Sequence, residues 1–188
     1  MFVFGLIVAI SLSFSISNAN AIIVNNTDFS LSVLDNWAYR DPTIDNPLAK
    51  IFAGGASIGL VPNEFSNMLV NTSQELSGNT IQNGGAYSIF QLDTEYPYRN
   101  IPLETYTQYN INLSPVKIFS QENTPVGGEK AVKIHRTPRT NITNLEVVDY
   151  YVVHNGKPYF IQYAANVKDY QKYLPQFEQM VKTFKFLE

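Results

Sequence analysis

Two runs rich in β-branched and aromatic residues meet at Asn155-Gly156, and this junction constrains the fold more than any other feature of the chain. The runs extend from Leu145 to Val153 and from Pro158 to Ala164. A type I′ turn needs positive φ at both of its central residues, and Asn-Gly tolerates that conformation. The sequence therefore predicts an antiparallel β-hairpin here.

Further strands are predicted from residue alternation and from turn signals. Phe29, Leu31 and Val33 alternate with serines, which is the period of a half-buried strand. Trp37 follows the turn Asp35-Asn36, and we expect it to anchor the end of the core with its indole N–H hydrogen-bonded. The other predicted strands are Ser57 to Val61, Ala86 to Leu92, Val116 to Gln121 and Glu129 to Thr137.

Three helices are predicted. One starts at Asn63 and runs to about Leu69, and another starts at Pro102 and runs to about Asn112. The third is the amphipathic C-terminal segment, with Asn166 as its candidate N-cap. Because Pro175 lacks an N–H, we expect it to split this segment and leave a main helix from about Leu174 to Phe184.

The order of these elements predicts an α+β fold in which helices pack on a central antiparallel sheet. Of the 188 residues, 45% are hydrophobic and 13% aromatic, which suits one globular domain. The net charge of −3 is scattered along the chain, so no nucleic-acid footprint is present. Cysteine is absent, which excludes disulfides, thiolate chemistry and Cys-ligated metals.

The first residues indicate export. Met1 to Ala21 carries no charged side chain, and its apolar run from Phe2 to Ile10 ends in a serine-rich stretch followed by Ala19-Asn20-Ala21. Small residues at these last positions suit signal peptidase, so residues 1–21 are predicted to be a signal peptide and 22–188 a single domain. The alternative is an uncleaved N-terminal anchor. An extracytoplasmic location is expected in both cases, with no membrane span in the mature chain.

Four Asn-x-Ser/Thr sequons accompany this export signal. Asparagine is abundant, so chance explains most of them, and glycosylation depends on the host. They lie at Asn25, Asn71, Asn112 and Asn141.

The two ends of the predicted domain resemble the PsbP family. The stretch from Asp28-Phe29 to Trp37 is similar to the Gly-Phe-Ser and Pro-x-x-Trp opening of PsbP-like domains. The segment from Gly128 through the Asn155-Gly156 hairpin to the helix that ends at Phe184 is similar to the C-terminal part of PsbP-like domains. The resemblance covers most of residues 22–188 through element order and not through a catalytic motif.

This resemblance implies an α/β/α sandwich with a central antiparallel sheet, a fold shared with a Ran-binding nuclear import factor. PsbP itself is an extrinsic subunit of photosystem II that helps to retain calcium and chloride. Few residues separate Ala21 from the first strand, so the long N-terminal segment of PsbP has no counterpart and a role in oxygen evolution is not expected. The compact form is more similar to stand-alone exported prokaryotic members, including archaeal ones.

Candidate groups for chemistry are few. His135 and His154 lie on separate predicted strands and would form a metal site only if those strands pair and a carboxylate such as Asp149 or Glu129 joins them. The alternative is that His135 is a solvated or hydrogen-bonded residue of the sheet and that His154 is a surface residue at the hairpin tip. Asp93 and Glu95 offer oxygen ligands for a divalent cation, but they lack the spacing of a calcium loop, so a polar turn is the favoured interpretation. No phosphate-binding loop or hydrolase motif is present, so we expect no enzyme activity and no cofactor.

A tyrosine cluster is the strongest candidate for a partner surface. It comprises Tyr96, Tyr98, Tyr106 and Tyr109, and tyrosine is enriched where proteins dock. The competing interpretation is a loop packed onto the core.

Three functions stay open: an accessory protein that docks on a membrane complex or envelope component, a small-ligand or calcium-type cation binder, and a hydrolase with an unrecognised site. The sequence predicts no oligomeric state.

Overall fold

The structure is a computed structural model of the whole chain. It describes residues 21–40, 57–66, 84–93, 100–113, 115–139 and 144–188. The predicted signal peptide, apart from its last residue, lies outside this described part. Neither helix in the described part is long and apolar enough to cross a membrane.

A seven-stranded antiparallel sheet forms the centre of the fold, which confirms the predicted α+β class. Its strand order is β3-β4-β5-β9-β8-β7-β6. The strands are β3 (Trp37–Arg40), β4 (Ser57–Pro62), β5 (Ala86–Leu92), β6 (Ile118–Val126), β7 (Glu129–Arg136), β8 (Leu145–His154) and β9 (Lys157–Asn166).

A second, three-stranded sheet was not predicted. Strand β2 (Phe29–Val33) lies between β1 (Ile22–Asn25) and β10 (Lys185–Phe186), and both neighbours are antiparallel to it. The two-residue strand β10 is too short to carry an alternation signal in the sequence. It pairs Phe186 with Phe29, so the C-terminus closes the fold next to the first predicted strand.

One helix covers each face of the central sheet. Helix α2 (Tyr170–Thr183) packs on the apolar face, where Phe177 and Met180 are completely buried. Helix α1 (Leu103–Asn112) lies on the opposite face, where Tyr106 packs with Val132, Ile134 and Tyr151. This is the α/β/α layering that the resemblance implied.

The Asn155-Gly156 turn has positive φ at both residues, 50° and 74°, as predicted. Ten consecutive residue pairs join β8 to β9, from Leu145↔Asn166 to His154↔Lys157. Trp37 also behaves as predicted. It is 3% exposed, and its Nε1–H donates to Gln176 Oε1 of α2 at 2.8 Å.

The start of α2 differs from the prediction. Asn166 is the last residue of β9, and the helix begins at Tyr170 after Asp169. Pro175 does not split the helix, because it lies on the exposed side, where water can bond the carbonyl that loses its N–H partner. The carboxylate of Asp169 accepts the N–H of Gly85, the residue before β5, at 2.8 Å and so ties the helix start to the sheet.

One other boundary was wrong. Strand β6 continues five residues past Gln121 to Val126, because hydrogen bonding to β7 extends a polar segment that carries no apolar alternation. The helix predicted from Asn63 starts there, with a 3₁₀ turn at Asn63–Phe65 that continues into Ser66, and its predicted end at Leu69 lies outside the described residues.

The Gly127-Gly128 turn provides a matched test of packing. Both residues have positive φ, 58° and 88°, so alanine at either position costs roughly 1 kcal/mol. A Cβ at Gly127 would lie 2.8 Å from the Phe186 ring, whereas a Cβ at Gly128 meets nothing within 4 Å. We expect Gly127→Ala to lower the free energy of unfolding by about 1–3 kcal/mol more than Gly128→Ala. Urea denaturation measures both, and equal losses would contradict this packing.

Buried tyrosines predict a steep loss of stability in alkali. Burial raises the pKa of Tyr87, Tyr150 and Tyr159 to about 12. The unfolded value is about 10, so between these pH values the native state binds more protons and stability falls as pH rises, by up to about 1.4 kcal/mol per pH unit for each tyrosine. Tyrosinate absorbance and unfolding should therefore change together above pH 10. If these three tyrosines ionised near pH 10 while the protein stayed folded, their burial would be contradicted.

Candidate functional site

The predicted tyrosine cluster is divided by the fold. Tyr106 is completely buried, which agrees with the competing interpretation of packing onto the core and removes this residue from a partner surface. It lies on the inner side of α1, its hydroxyl donates to Asp93 Oδ2 at 2.6 Å, and its ring packs edge-on against Tyr151. Burial, together with the charge of Asp93, raises the pKa of Tyr106 well above its usual value. Tyr106 is therefore a core residue of the α1 side of the sheet.

Tyr109 is exposed to solvent, as a residue of a partner surface must be. Its side chain is 44% exposed on the outer side of α1, three residues along from Tyr106. With Glu104, Thr105 and Gln108 it lines an open surface groove of about 530 Å³. Tyr96 and Tyr98 lie outside the described residues, so a partner surface made of Tyr96, Tyr98 and Tyr109 stays a prediction.

The histidines do not form the two-histidine metal site considered from the sequence. His135 faces Val148 in the β7–β8 register, and His154 lies six residues further along β8, about 20 Å away. Among the described residues, no three His, Asp or Glu side chains come together as metal ligands. Of the two candidate cation ligands, Asp93 accepts the Tyr106 hydroxyl and Glu95 lies outside the described residues.

Each histidine is instead held in a half-buried pair. His135 is stacked on Tyr170, contacts Phe119, and bonds Glu146 at 2.8 Å through Nε2. His154 stacks on Phe186 with ring centroids 4.1 Å apart and bonds Glu129 at 2.8 Å through Nδ1. Both side chains are less than a third exposed. His135 is therefore the hydrogen-bonded sheet residue considered from the sequence, whereas His154 is more buried than the hairpin-tip surface residue expected there.

The strongest polar constellation is a buried network beneath α1. Asp149 is completely buried on β8, and Arg136 of β7 donates its Nε–H to the Asp149 carboxylate at 2.5 Å. The same carboxylate accepts the Tyr151 hydroxyl at 2.9 Å and the Gln162 amide at 3.0 Å. Gln162 in turn accepts the Tyr87 hydroxyl at 3.1 Å. These bonds satisfy the carboxylate inside the fold, as a buried charge requires.

This network extends to α1 through Arg139. Its guanidinium donates to the main-chain carbonyl of Asn110 at 2.7 Å, near the C-terminal end of the helix. A cation at this position also interacts favourably with the negative end of the helix dipole. Sequence reasoning considered Asp149 only as a metal ligand, although an acid within an apolar strand two residues before Tyr151 was the available signal for a buried pair.

A second charged group lies on the α2 face. Lys133 of β7 contacts Glu178 of α2 at 2.7 Å and Glu122 of β6 at 3.1 Å. Burial opposes the charge of Lys133, but its hydrogen bonds to these two carboxylates outweigh that penalty and raise its pKa. The two glutamates around one lysine leave a local excess of one negative charge beside β6.

Two of the four sequons belong to described segments. Asn25 on β1 and Asn112 at the end of α1 are both exposed. The other two, at Asn71 and Asn141, lie outside the described residues.

A double-mutant cycle tests whether the Asp149–Arg136 pair is a structural unit. Asp149→Leu leaves Arg136 buried without its counterion, and we expect a loss of about 3–5 kcal/mol in the free energy of unfolding. Arg136→Leu should cost a similar amount, whereas the double variant should lose clearly less than the sum of the two. Chemical denaturation of the four proteins measures the coupling. Additive losses would show that the two charges do not depend on each other.

Comparisons with known proteins identify the fold. No known family's profile matches the chain, and no curated protein matches it in sequence. Solved structures do match. Cyanobacterial PsbP (CyanoP) from Synechocystis sp. PCC 6803 is 8% identical with a TM-score of 0.50 and covers 95% of this chain and 99% of its own.

Two further structures have the same architecture. LpqN, described as involved in cell envelope biogenesis of Mycobacterium tuberculosis, is 13% identical with a TM-score of 0.51 and coverage of 89% and 91%. Protein PA94 from Pseudomonas aeruginosa, of unknown function and described as a putative regulator, is 12% identical with a TM-score of 0.50 and coverage of 87% and 94%. At these identities the likeness shows the fold alone. The chain therefore has the α+β fold of PsbP-like proteins.

Proposed function

We propose that this chain is an exported, non-catalytic accessory protein that docks on a membrane protein complex or an envelope component through the outer face of α1. The observation that carries this proposal is the open surface groove that Glu104, Thr105, Gln108 and Tyr109 of α1 line. Tyr109 presents an aromatic ring with a polar tip at that groove, and such side chains anchor protein interfaces. Its neighbours supply the polar rim.

The internal use of the charged groups supports a non-catalytic role. Catalysis needs a nucleophile, acid or base that faces a substrate. Here the Asp149 carboxylate is bonded to Arg136, and the two histidines are bonded to Glu146 and Glu129. Each of these pairs joins two strands of the sheet, so within the described residues the polar groups act as internal connections.

The predicted export signal and the fold support the proposed setting. The signal peptide predicted for residues 1–21 would deliver residues 22–188 across a membrane. Among proteins of this fold, one is a cyanobacterial PsbP and another is described as involved in cell envelope biogenesis. Binding of a calcium-type cation and hydrolysis stay open as alternatives, although no group of described residues favours either.

Pull-down from native membranes tests the docking face. Immobilised residues 22–188, which contain every described strand and helix, are compared with Tyr109→Ser and with the matched control Tyr39→Ser. Tyr39 is similarly exposed, at 47%, but it lies on β3. We expect wild type and the control to retain the same membrane component, and Tyr109→Ser to retain roughly tenfold less, since loss of an interface tyrosine costs about 1–2 kcal/mol.

The outcomes separate the parts of this proposal. Circular dichroism first checks that the variants fold. Equal retention by wild type and Tyr109→Ser would show that docking does not use the α1 groove. Retention of no membrane component by any of the three proteins would refute the accessory role.

A further inference from the structure

Strand β6 is an edge of the central sheet that nothing among the described residues covers. It is the terminal strand of the seven, and its residues from Ile118 to Asn123 are all exposed. On the neighbouring strand β7, by contrast, Ala131 and Ile134 are buried. An exposed edge carries main-chain N–H and C=O groups without strand partners, and these are a template for another strand.

The turn between β6 and β7 shows which main-chain groups of β6 point outward. Its two glycines both have positive φ, so it is a two-residue type I′ turn closed by the pair Val126↔Glu129. In such a hairpin the closing pair exchanges hydrogen bonds, and bonded pairs then alternate along the ladder. Glu122 and Thr124 therefore bond to β7, as Val126 does.

The intervening residues, Gln121, Asn123 and Pro125, direct their main-chain groups away from the sheet. Proline at such a position removes no bond to β7, which agrees with its usual restriction to sheet edges. A register shift between Ile118 and Ser120 disturbs the ladder at the other end of the strand. The usable window is therefore Ser120 to Val126, which contains no lysine and whose one proline, Pro125, still offers an outward carbonyl.

We propose that this window pairs with the same window of a second copy of the chain, antiparallel and around a two-fold axis at Asn123. The two central sheets would then form one continuous sheet. In this register, Asn123 exchanges two main-chain hydrogen bonds with Asn123 of the second copy. The N–H of Gln121 donates to the carbonyl of Pro125 in the second copy, and the same bond recurs on the other side of the axis. This inference is independent of the docking function proposed above.

The side chains around this axis are self-complementary. Asn123 faces its own counterpart, and two primary amides can donate to and accept from each other. Glu122 faces Thr124 of the second copy, whose hydroxyl can donate to the carboxylate. Each Glu122 keeps its contact with Lys133 at 3.1 Å, so it does not bring an unpaired charge to the axis.

Neighbouring registers are less favourable. An axis at Glu122 would place the two Glu122 carboxylates directly opposite each other, which is destabilising. An axis at Gln121 would place the irregular segment around Phe119 opposite the regular ladder. The register centred on Asn123 avoids both problems and brings the exposed ring of Phe119 next to the Gly127-Gly128 turn of the second copy.

Sedimentation equilibrium of residues 22–188 over micromolar to millimolar concentrations tests this pairing. We expect the apparent mass to double with concentration, and amide hydrogen exchange at Gln121 and Asn123 to slow as the dimer forms. Asn123→Lys places like charges at the axis and should keep the protein monomeric. Gln171→Lys adds the same charge to an exposed position on α2, so it should dimerise like the wild type. Asn123→Pro removes only an outward N–H and should also be monomeric.

Three results would overturn the inference. The first is a wild-type protein that stays monomeric at all concentrations. The second is a dimer whose Gln121 and Asn123 amides exchange as fast as in the monomer, a measurement that needs no variant. The third is an Asn123→Lys or Asn123→Pro protein with native circular dichroism that dimerises as strongly as the wild type.

Discussion

The ten-pair ladder between β8 and β9 determines what each face of this fold contains. Its register sends Tyr150 and Tyr163 toward α2 and sends Asp149 and Gln162 toward α1. Because side chains alternate along a strand, a slip by one residue would move Asp149 into the aromatic core and Tyr150 into the polar network. The Asn155-Gly156 turn opposes such a slip, since its two-residue length sets the pairing.

The two faces that result are chemically unequal. On the α2 side, Phe90, Tyr163 and Phe177 form adjoining ring contacts, which supply core area to a chain without cysteine. On the α1 side, the hydrogen bonds of Asp149 and Arg136 hold the middle of the sheet. Such a polar network demands that every member finds its partner, and it therefore favours one arrangement of the strands over its neighbours.

Local rules predicted local elements well. Alternation gave the bounds of β2 and β5, and Pro102 with the following apolar spacing gave α1. Residue type alone does not reveal which side of a helix faces the sheet. Tyr106 and Tyr109 are the same residue type and lie three positions apart on α1, yet Tyr106 is buried and Tyr109 is exposed. The partners of His135 and His154 likewise depended on a strand register that the sequence does not state.

Strand β6 was predicted too short because its polar residues contribute little to the core, and the same polarity lets it remain an exposed edge. The α1 groove and this edge are neighbours, since Glu104 of α1 contacts Lys130 of β7 at 3.1 Å. A two-fold axis through paired β6 strands runs perpendicular to the sheet, so it would place both α1 helices on the same face of the combined sheet. Two docking surfaces on one face bind a two-fold or repetitive partner far more tightly than either surface alone. A weak docking contact and a weak edge contact would thus reinforce each other.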